Sequence, residues 1–186
     1  MDLYTYNETN MPGHVFWQIR SFYRLHWAHI VDPEIMHKPT LDRPGLHARH
    51  VVLMDQQVLA SHATLVWKML DIDGERYQVY GLAGVFTYPH YRKQGNGGIV
   101  VRECNRLMDE AGDGDLAMLQ TEPHNISFYE GNDWTALPDA KLLVGDHPEQ
   151  ALPIVEVVVM RALSDKGRAV WPRLESTPFY FGDFMW

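Results

Sequence analysis

The sequence of 186 residues has little of what would set it apart from an ordinary globular protein. It contains one cysteine, Cys104, which excludes an internal disulfide framework and suits a reducing cytoplasm. Its apolar runs are far shorter than the roughly 20 residues that a membrane helix requires. The first residues, Met1–Tyr4, lack the basic and then apolar segments of a secretory signal. We therefore expect a cytoplasmic protein without membrane contact.

Positive charge is also scarce. The chain carries 16 Lys and Arg against 24 Asp and Glu, which gives a formal net charge of -8. Nucleic-acid surfaces need clustered Lys and Arg, so we expect no nucleic-acid partner. An acidic surface favours a cationic ligand through electrostatic steering, although the same charge also serves solubility. The length fits a single domain over residues 1–186.

Hydrophobic spacing predicts a mixed α/β fold. Apolar residues recur at helical intervals over Val15–Ile30, and Asp32–Pro33 ends that helix. The tail, Trp171–Trp186, is rich in aromatics and shows no clear period. The other predicted elements are, in chain order, the strands His50–Met54, Val58–Leu70 and Arg76–Thr87, the helix Ile99–Ala111, the strand Leu116–Thr121, the helix Asn125–Glu130 and the strands Lys141–Val144 and Ile154–Ala162. This order favours one layer of largely antiparallel sheet flanked by helices.

A glycine-rich loop, Tyr88–Gly98, lies between the third strand and the second helix. A helix N-terminus presents unpaired N–H groups and the positive end of the macrodipole, which together bind phosphate. Arg92 and Lys93 add positive charge, and glycine allows a close backbone approach. The loop lacks the Gly-Lys-Ser/Thr of a P-loop and the Gly-x-Gly-x-x-Gly of a dinucleotide site. It therefore predicts a site for the pyrophosphate of acyl-CoA; the alternative is a glycine-rich turn with two solvated cations.

From Gly81 to Trp134 the sequence resembles the GCN5-related N-acetyltransferase (GNAT) family. Three features match in the family's order. The strand Leu82–Thr87 resembles the splayed strand that pairs with the pantetheine arm. Arg92, Gly95 and Gly97 match the family's pyrophosphate loop. Asn125, Tyr129 and Trp134 match the pattern that follows the next strand. The resemblance implies a GNAT-type α/β fold with a splayed sheet and acetyl-CoA as the donor.

The resemblance also implies site residues. The expected cofactor contacts are Val85, Phe86, Thr87, Arg92, Lys93, Gln94, Gly95, Asn96, Gly97, Gly98 and Asn125. Backbone N–H groups near Val85 would polarise the thioester carbonyl as an oxyanion hole does. Tyr129 would protonate the departing thiolate, a role that suits a phenol with an ordinary pKa of about 10. The alternatives are that Tyr129 is a core aromatic and that Asn125 only caps a helix.

Over most of its length the chain is similar to the aminoglycoside 2'-N-acetyltransferases. The similarity covers Ser61–Ala63, Tyr80–Thr87 and the end of the chain, where Gly182–Trp186 is one residue longer than the Gly-Asp-x-Trp ending of that subfamily. It implies that Asp42, Asp183 and Trp186 contact the ammonium groups of an aminoglycoside, since a polycation favours clustered carboxylates. Alternatively, Asp183 is a turn residue and Trp186 covers an apolar edge, or the aromatic tail forms a homodimer contact.

One position departs from that subfamily, which has a glutamate in the cofactor strand at the substrate-facing position where this chain has Ala83. The glutamate would draw a proton from the amine through water, and an ammonium group cannot attack before it loses that proton. Glu122, His90, the carboxylate of Trp186 and water alone are the candidate replacements. The open alternatives are therefore acetylation of a peptide or polyamine amine, or a non-catalytic module that binds acyl-CoA or a drug.

Two histidine pairs, His26 with His29 and His47 with His50, have spacings that could bind a metal. Neither pair has a convincing third ligand in the sequence, so we expect no metal site. Cys104 falls on the apolar face of its helix and is predicted to be a core thiol, because a nucleophilic thiol needs an electropositive and partly exposed site.

Overall fold

The computed structural model describes residues 1–28, 40–183 and 186. His29, Ile30 and Asp32–Pro33 lie outside these residues. The first helix already ends at His26, so its predicted extension to Ile30 is wrong. The chain divides into two compact units, one of residues 1–66 and 84–104 and the other of residues 67–83 and 105–186. The single-domain organisation stays a prediction. Within the described residues, no helix is long and apolar enough to cross a membrane.

The first unit is built on its N-terminal strands and helix. It contains β1 (Asp2–Tyr6), α1 (Gly13–His26), β2 (Arg49–Asp55), the start of β3 (Val58–Ile72), the end of β4 (Glu75–Thr87) and the start of α2 (Asn96–Ala111). β1 and β3 flank β2, and both pairings are antiparallel. The apolar stripe of α1 is buried, and the ring of Phe22 stacks on that of Phe86 with centroids 3.8 Å apart. This packing fixes the end of β4 against α1.

The second unit contains the remaining strands and two helices. These are β5 (Leu116–Thr121), α3 (Ile126–Glu130), β6 (Thr135–Leu137), β7 (Leu142–Val144), β8 (Leu152–Pro153), β9 (Val157–Ala162), α4 (Asp165–Ser176) and β10 (Phe179–Gly182). β9 pairs antiparallel with both β5 and β6. A smaller sheet has the order β10-β7-β8. The core of this unit joins the two sheets through apolar residues such as Val79, Met118 and Phe181.

The large sheet has the order β1-β2-β3-β4-β5-β9-β6 and is mostly antiparallel. Its parallel pair is β4 with β5, and this pairing joins Val79–Gly81 to Leu116–Met118. β4 runs on to Thr87 and β5 to Thr121 beyond the paired residues. The predicted fold class, a mixed and splayed sheet with helices, is confirmed.

Several sequence predictions are wrong in detail. β1, β6, β8, β10 and α4 were not predicted, and the three-stranded sheet adds to the single layer that was expected. The tail is regular rather than without period, because α4 and β10 occupy most of it. Pro172 within α4 and Gly167 near its start obscured the helical pattern. The Ser164 and Asp165 pair was an available signal, since these residues favour helix starts.

The second predicted helix begins earlier than expected, at Asn96 instead of Ile99. Gly97 and Gly98 therefore lie in its first turn, where glycine costs helical stability but permits close approach to a ligand. Cys104 lies in this helix and is fully buried, which confirms the prediction of a core thiol. Burial raises the pKa of its thiol, and this disfavours the nucleophilic thiolate.

The N-terminus of α4 gives a test of local stability. Ser164 Oγ accepts the Gly167 N–H at 3.0 Å and donates to Asp115 Oδ1 at 2.8 Å. Ser164→Ala removes both bonds and should lower the free energy of unfolding by about 1–2 kcal/mol in urea denaturation. Ser176→Ala, on an exposed residue of the same helix, is the matched control and should cost less than about 0.5 kcal/mol. Equal losses would contradict the capping role.

Candidate active site

In the first unit, two tyrosines hold the first part of the glycine-rich loop. The Tyr88 N–H donates to Ala60 O at 3.0 Å, and the Tyr88 hydroxyl donates to Gln18 O at 2.7 Å. The Tyr91 hydroxyl donates to Asp55 Oδ2 at 3.0 Å. These bonds connect the loop to β3, α1 and β2, so the loop starts from a rigid base.

The loop backbone turns sharply before the helix. Lys93 and Gly95 adopt left-handed conformations with φ values of 59° and 79°. A Cβ on Gly95 would meet no atom within 4 Å, so glycine is favoured there by its backbone angle and not by space. The bond from Ile99 N to Gly95 O is the first turn of the helical ladder. The N–H groups of residues 96–98 precede it, and such N–H groups lie at the open end of a helix where anions bind.

The loop side chains divide into two groups. Gln94 Nε2 donates to His90 O at 3.0 Å, and the buried Asn96 donates through Nδ2 to Tyr91 O at 2.9 Å. These amides hold the loop in shape. Arg92 and Lys93 are exposed, and Arg92 Nε donates to Thr87 O at 2.9 Å. That bond orients the guanidinium group, whose two Nη groups are the part suited to bidentate phosphate contact.

The end of β4 contains a distorted residue. Gly84 is left-handed with φ 53°, and a Cβ there would overlap the Tyr23 hydroxyl. Its carbonyl lies 2.8 Å from His62 Nδ1. Val85 is half-buried, whereas the Phe86 side chain lies in the core, so Phe86 can meet a cofactor only through its backbone. The half-buried Thr87 places Oγ1 2.9 Å from Ser61 Oγ.

Asp42 faces a buried histidine in the first unit. Its Oδ2 lies 2.8 Å from Nε2 of His50, a residue with no exposed surface. Glu8, Asp42 and His50 bring ligand-type atoms within 4.8 Å of one another, a grouping that the sequence did not reveal. Glu8 and Asp42 also line a cleft of about 560 Å³ together with Arg43 and Arg49. The cleft thus combines charges of both signs and is not a purely anionic surface.

In the second unit, Tyr129 of α3 is buried and packs edge-on against Trp134, with ring centroids 6.4 Å apart. A buried amide network supports this turn. Trp134 Nε1 donates to Asn105 Oδ1 at 3.0 Å, Asn105 Nδ2 donates to Asn132 O at 2.8 Å, and Asn132 Nδ2 donates to Phe128 O at 2.7 Å. This network was not predicted from the sequence. Asn105 stands where the helical period of α2 expects an apolar residue, and that was the available signal.

Asn125 occupies the N-cap position of α3, but its side chain makes no capping hydrogen bond. The simple cap interpretation therefore lacks its defining contact. The side chain is half-buried.

The aromatic tail folds onto the second unit. Phe179 and Phe181 are buried, and Trp186 Nε1 donates to Met118 O at 3.0 Å. The Trp186 indole covers Gly81, where any Cβ would overlap the ring. Trp186 therefore lies where the pairing of β4 with β5 ends. Ala83 lies two residues beyond Gly81, the spacing at which strand residues share a face.

A lysine accompanies the tail. Lys68 Nζ donates to Phe181 O at 2.8 Å and lies 3.9 Å from the centroid of the Phe181 ring. Burial lowers the pKa of Lys68 to about 8, and Asp183 opposes this shift. The negative charge of Asp183 therefore acts partly on a cation of the protein itself.

Two of the candidate bases are exposed. Glu122 Oε2 lies 3.1 Å from His124 Nδ1 in the second unit, and His90 belongs to the loop of the first unit.

Comparison with known proteins gives the family. The family model described as an acetyltransferase (GNAT) domain matches residues 22–137, well over half of the chain. The chain belongs to the GNAT acetyltransferase family. It is an acetyl-CoA-dependent acetyltransferase, and members of its family act on small amines. No curated protein sequence matches this acetyltransferase.

Solved structures share the fold at low sequence identity. An aminoglycoside 6'-N-acetyltransferase complexed with coenzyme A is 14% identical with a TM-score of 0.59, over 88% of this chain and 98% of that one. A ribosomal-protein-alanine N-acetyltransferase from Brucella melitensis is 15% identical with a TM-score of 0.58, over 88% and 100% of the two chains. A conserved protein of unknown function from Enterococcus faecalis V583 is 17% identical with a TM-score of 0.55 over 78% of this acetyltransferase, which spans only 38% of that protein.

The buried lysine predicts a pH dependence of stability. The folded-state pKa of Lys68 is about 8, and its ordinary value is 10.5. Between these values the unfolded chain binds more protons, so this residue makes stability rise with pH. Relative to Lys68→Met, the wild-type free energy of unfolding should therefore increase from about pH 8 to about pH 10 in urea titrations. Lys141→Met, on an exposed residue, should keep the wild-type slope. Parallel curves for wild type and Lys68→Met would contradict the shift.

Proposed function

We propose that this acetyltransferase acts in the cytoplasm as one domain over residues 1–186 and acetylates the 2'-amino group of an aminoglycoside. The tail carries the proposal. Trp186 packs on Gly81 and Met118, and Asp183 precedes it by three positions, so an aromatic surface and a carboxylate accompany the point where β4 leaves β5. Such a combination suits an amino sugar, which offers an apolar ring face and ammonium groups.

The net charge of -8 supports a cationic acceptor by steering. Two observations limit the strength of that attraction. The negative charge of Asp183 also acts on Lys68. Arg43 and Arg49 line the cleft beside Asp42. The proposed contacts with Asp42 and Asp183 would therefore fix the orientation of the acceptor more than they would add affinity, as expected when charges are already partly compensated.

In the proposed reaction the neutral amine attacks the thioester carbonyl carbon, and the carbonyl oxygen takes up negative charge. The N–H of Val85 stabilises that oxygen, and the amides of residues 96–98 with Arg92 and Lys93 hold the pyrophosphate. The carbon–sulfur bond then breaks, and Tyr129 donates its hydroxyl proton to the thiolate. With Ala83 in the place of a carboxylate, the attacking nitrogen loses its proton to water. The phenolate of Tyr129 takes a proton back from water, which restores the starting state.

The acceptor test uses two drugs that differ at one group. Kanamycin B carries an amine at the 2' position where kanamycin A carries a hydroxyl, and both have a 6'-amine. Thiol release from acetyl-CoA, with the product located by NMR, should show turnover of kanamycin B and at most a small fraction of that rate with kanamycin A. Equal rates would overturn the 2' assignment.

Activity on peptides or spermidine without activity on either drug would replace the aminoglycoside with the alternative acceptors. Tight binding of kanamycin B by calorimetry, without acetyl transfer at any pH, would contradict turnover of this drug and favour a binding role for the site.

Tyr129→Phe tests the proton donor. Loss of the hydroxyl should reduce kcat by about 10²-fold, the usual scale of general acid catalysis, while the Kd for acetyl-CoA changes less than about threefold. Phe128→Leu, on the half-buried neighbouring residue, is the control for packing in α3 and should keep most of kcat. An unchanged rate in Tyr129→Phe would remove this residue from the mechanism.

A further inference from the structure

A chain of buried polar groups in the first unit ends at the distorted residue of β4. His62 and His50 have no exposed surface, and Asp42 is almost buried. His62 Nδ1 lies 2.8 Å from Gly84 O, His62 Nε2 lies 3.1 Å from His50 Nδ1, and His50 Nε2 lies 2.8 Å from Asp42 Oδ2. Buried polar groups cost stability unless they are paired, so a chain of this length requires an explanation.

The directions of the hydrogen bonds follow from the carbonyl. Gly84 O can only accept, so His62 donates from Nδ1. Burial, together with the neighbouring His50, lowers the pKa of His62 well below its ordinary value, and the ring is therefore neutral. Its Nε2 must then accept the Nδ1–H of His50. The tautomers of both rings are thus fixed by one backbone carbonyl.

The outer end of this chain of polar groups is the contact of His50 with Asp42. With its Nδ1–H directed at His62, His50 turns Nε2 towards the carboxylate of Asp42, whose Oδ2 lies 2.8 Å away. The contact is within ion-pair distance but is not aligned as a hydrogen bond. Asp42 therefore packs against the outer edge of the His50 ring and limits its rotation.

This chain of buried polar groups does not supply the missing general base. Both nitrogens of His62 are engaged with protein atoms, and the ring has no exposed surface. A base must reach the proton that it abstracts, directly or through one water.

The role of the chain follows from the planarity of the peptide bond. In a trans peptide the C=O of one residue and the N–H of the next point in opposite directions. The Gly84 carbonyl is turned towards His62, so the Val85 N–H points the other way. We propose that His62, oriented by His50 and Asp42, is a positioning residue that aims the Val85 N–H at the thioester carbonyl. This inference rests on the proposed role of Val85 as the donor to that oxygen.

Two substitutions distinguish the loss of the hydrogen-bond donor from the loss of the histidine ring. Asn places its side-chain N–H₂ near the position of His Nδ1 and can still donate to Gly84 O, whereas Leu fills similar space and donates nothing. His62→Leu should lower kcat by at least about tenfold, a part of the roughly 10²–10³ lost when an oxyanion donor is removed. The KM for acetyl-CoA should change little. His62→Asn should restore most of kcat.

A spectroscopic measurement needs no acceptor. The infrared stretch of acetyl-CoA labelled with ¹³C at the thioester carbonyl reports hydrogen bonding to that oxygen. When the labelled acetyl-CoA is bound to wild type or to His62→Asn, its carbonyl band should lie at lower frequency than in water-free solvent. When it is bound to His62→Leu, most of that shift should be lost.

Thr64→Val is the matched control for stability. Thr64 is equally buried, its Oγ1 lies 3.3 Å from both histidine rings, and its side chain also hydrogen-bonds Tyr23. It should lower the unfolding midpoint without losing the infrared shift. An unshifted band in wild type with acetyl-CoA bound would overturn the role of Val85. A shifted band in wild type that persists in His62→Leu, together with unchanged kcat, would overturn the positioning role alone.

Discussion

The pairing of β4 with β5 ends at Gly81, and the part of β4 beyond it is the constraint on which the site depends. A strand that leaves a sheet must find other partners for its backbone groups, because unpaired buried carbonyls are costly. In the first unit, side chains supply those partners. His62 bonds the carbonyl of Gly84, Ser61 donates to that of Phe86 at 2.8 Å, and Arg92 donates to that of Thr87. Three carbonyls at the end of β4 thus accept hydrogen bonds from side chains of β3 and of the glycine-rich loop.

On β5, within the second unit, a side chain likewise supplies a hydrogen-bond partner to the backbone. Met118 is the last residue of β5 that pairs with β4, and its carbonyl accepts the indole N–H of Trp186. The tail, in which the sequence showed no period, is therefore hydrogen-bonded to the end of a paired segment. A side chain 68 positions along the chain thus completes the hydrogen bonding of β5 at the end of its paired segment.

The sequence predicted what depends on local pattern. The helical period and the alternation of apolar residues placed most of the elements, and the glycines marked the loop before α2, since such signals depend on near neighbours. It could not place β1, because that strand is exposed and its partner β2 lies far along the chain. α4 was hidden by Pro172, and the start of α2 by its glycines.

The candidate site was predictable only in part for the same reason. The resemblance pointed to Tyr129 and the glycine-rich loop, but the residues that hold both in place come from distant parts of the sequence. Asn105 and Trp134 meet across the second unit, and His50 meets His62 only because β2 and β3 pair in register. No short motif encodes a buried pair of histidines, since the relation between them exists only after the strands align.

The contact between Gly81 and Trp186 links two distant positions of the chain. The indole occupies the volume that any larger residue at position 81 would need. A substitution at either position is therefore conditional on the other. Among variants of this acetyltransferase, a bulky residue at position 81 should be accompanied by a smaller one in place of the terminal indole, and engineering of the acceptor site should change the two together.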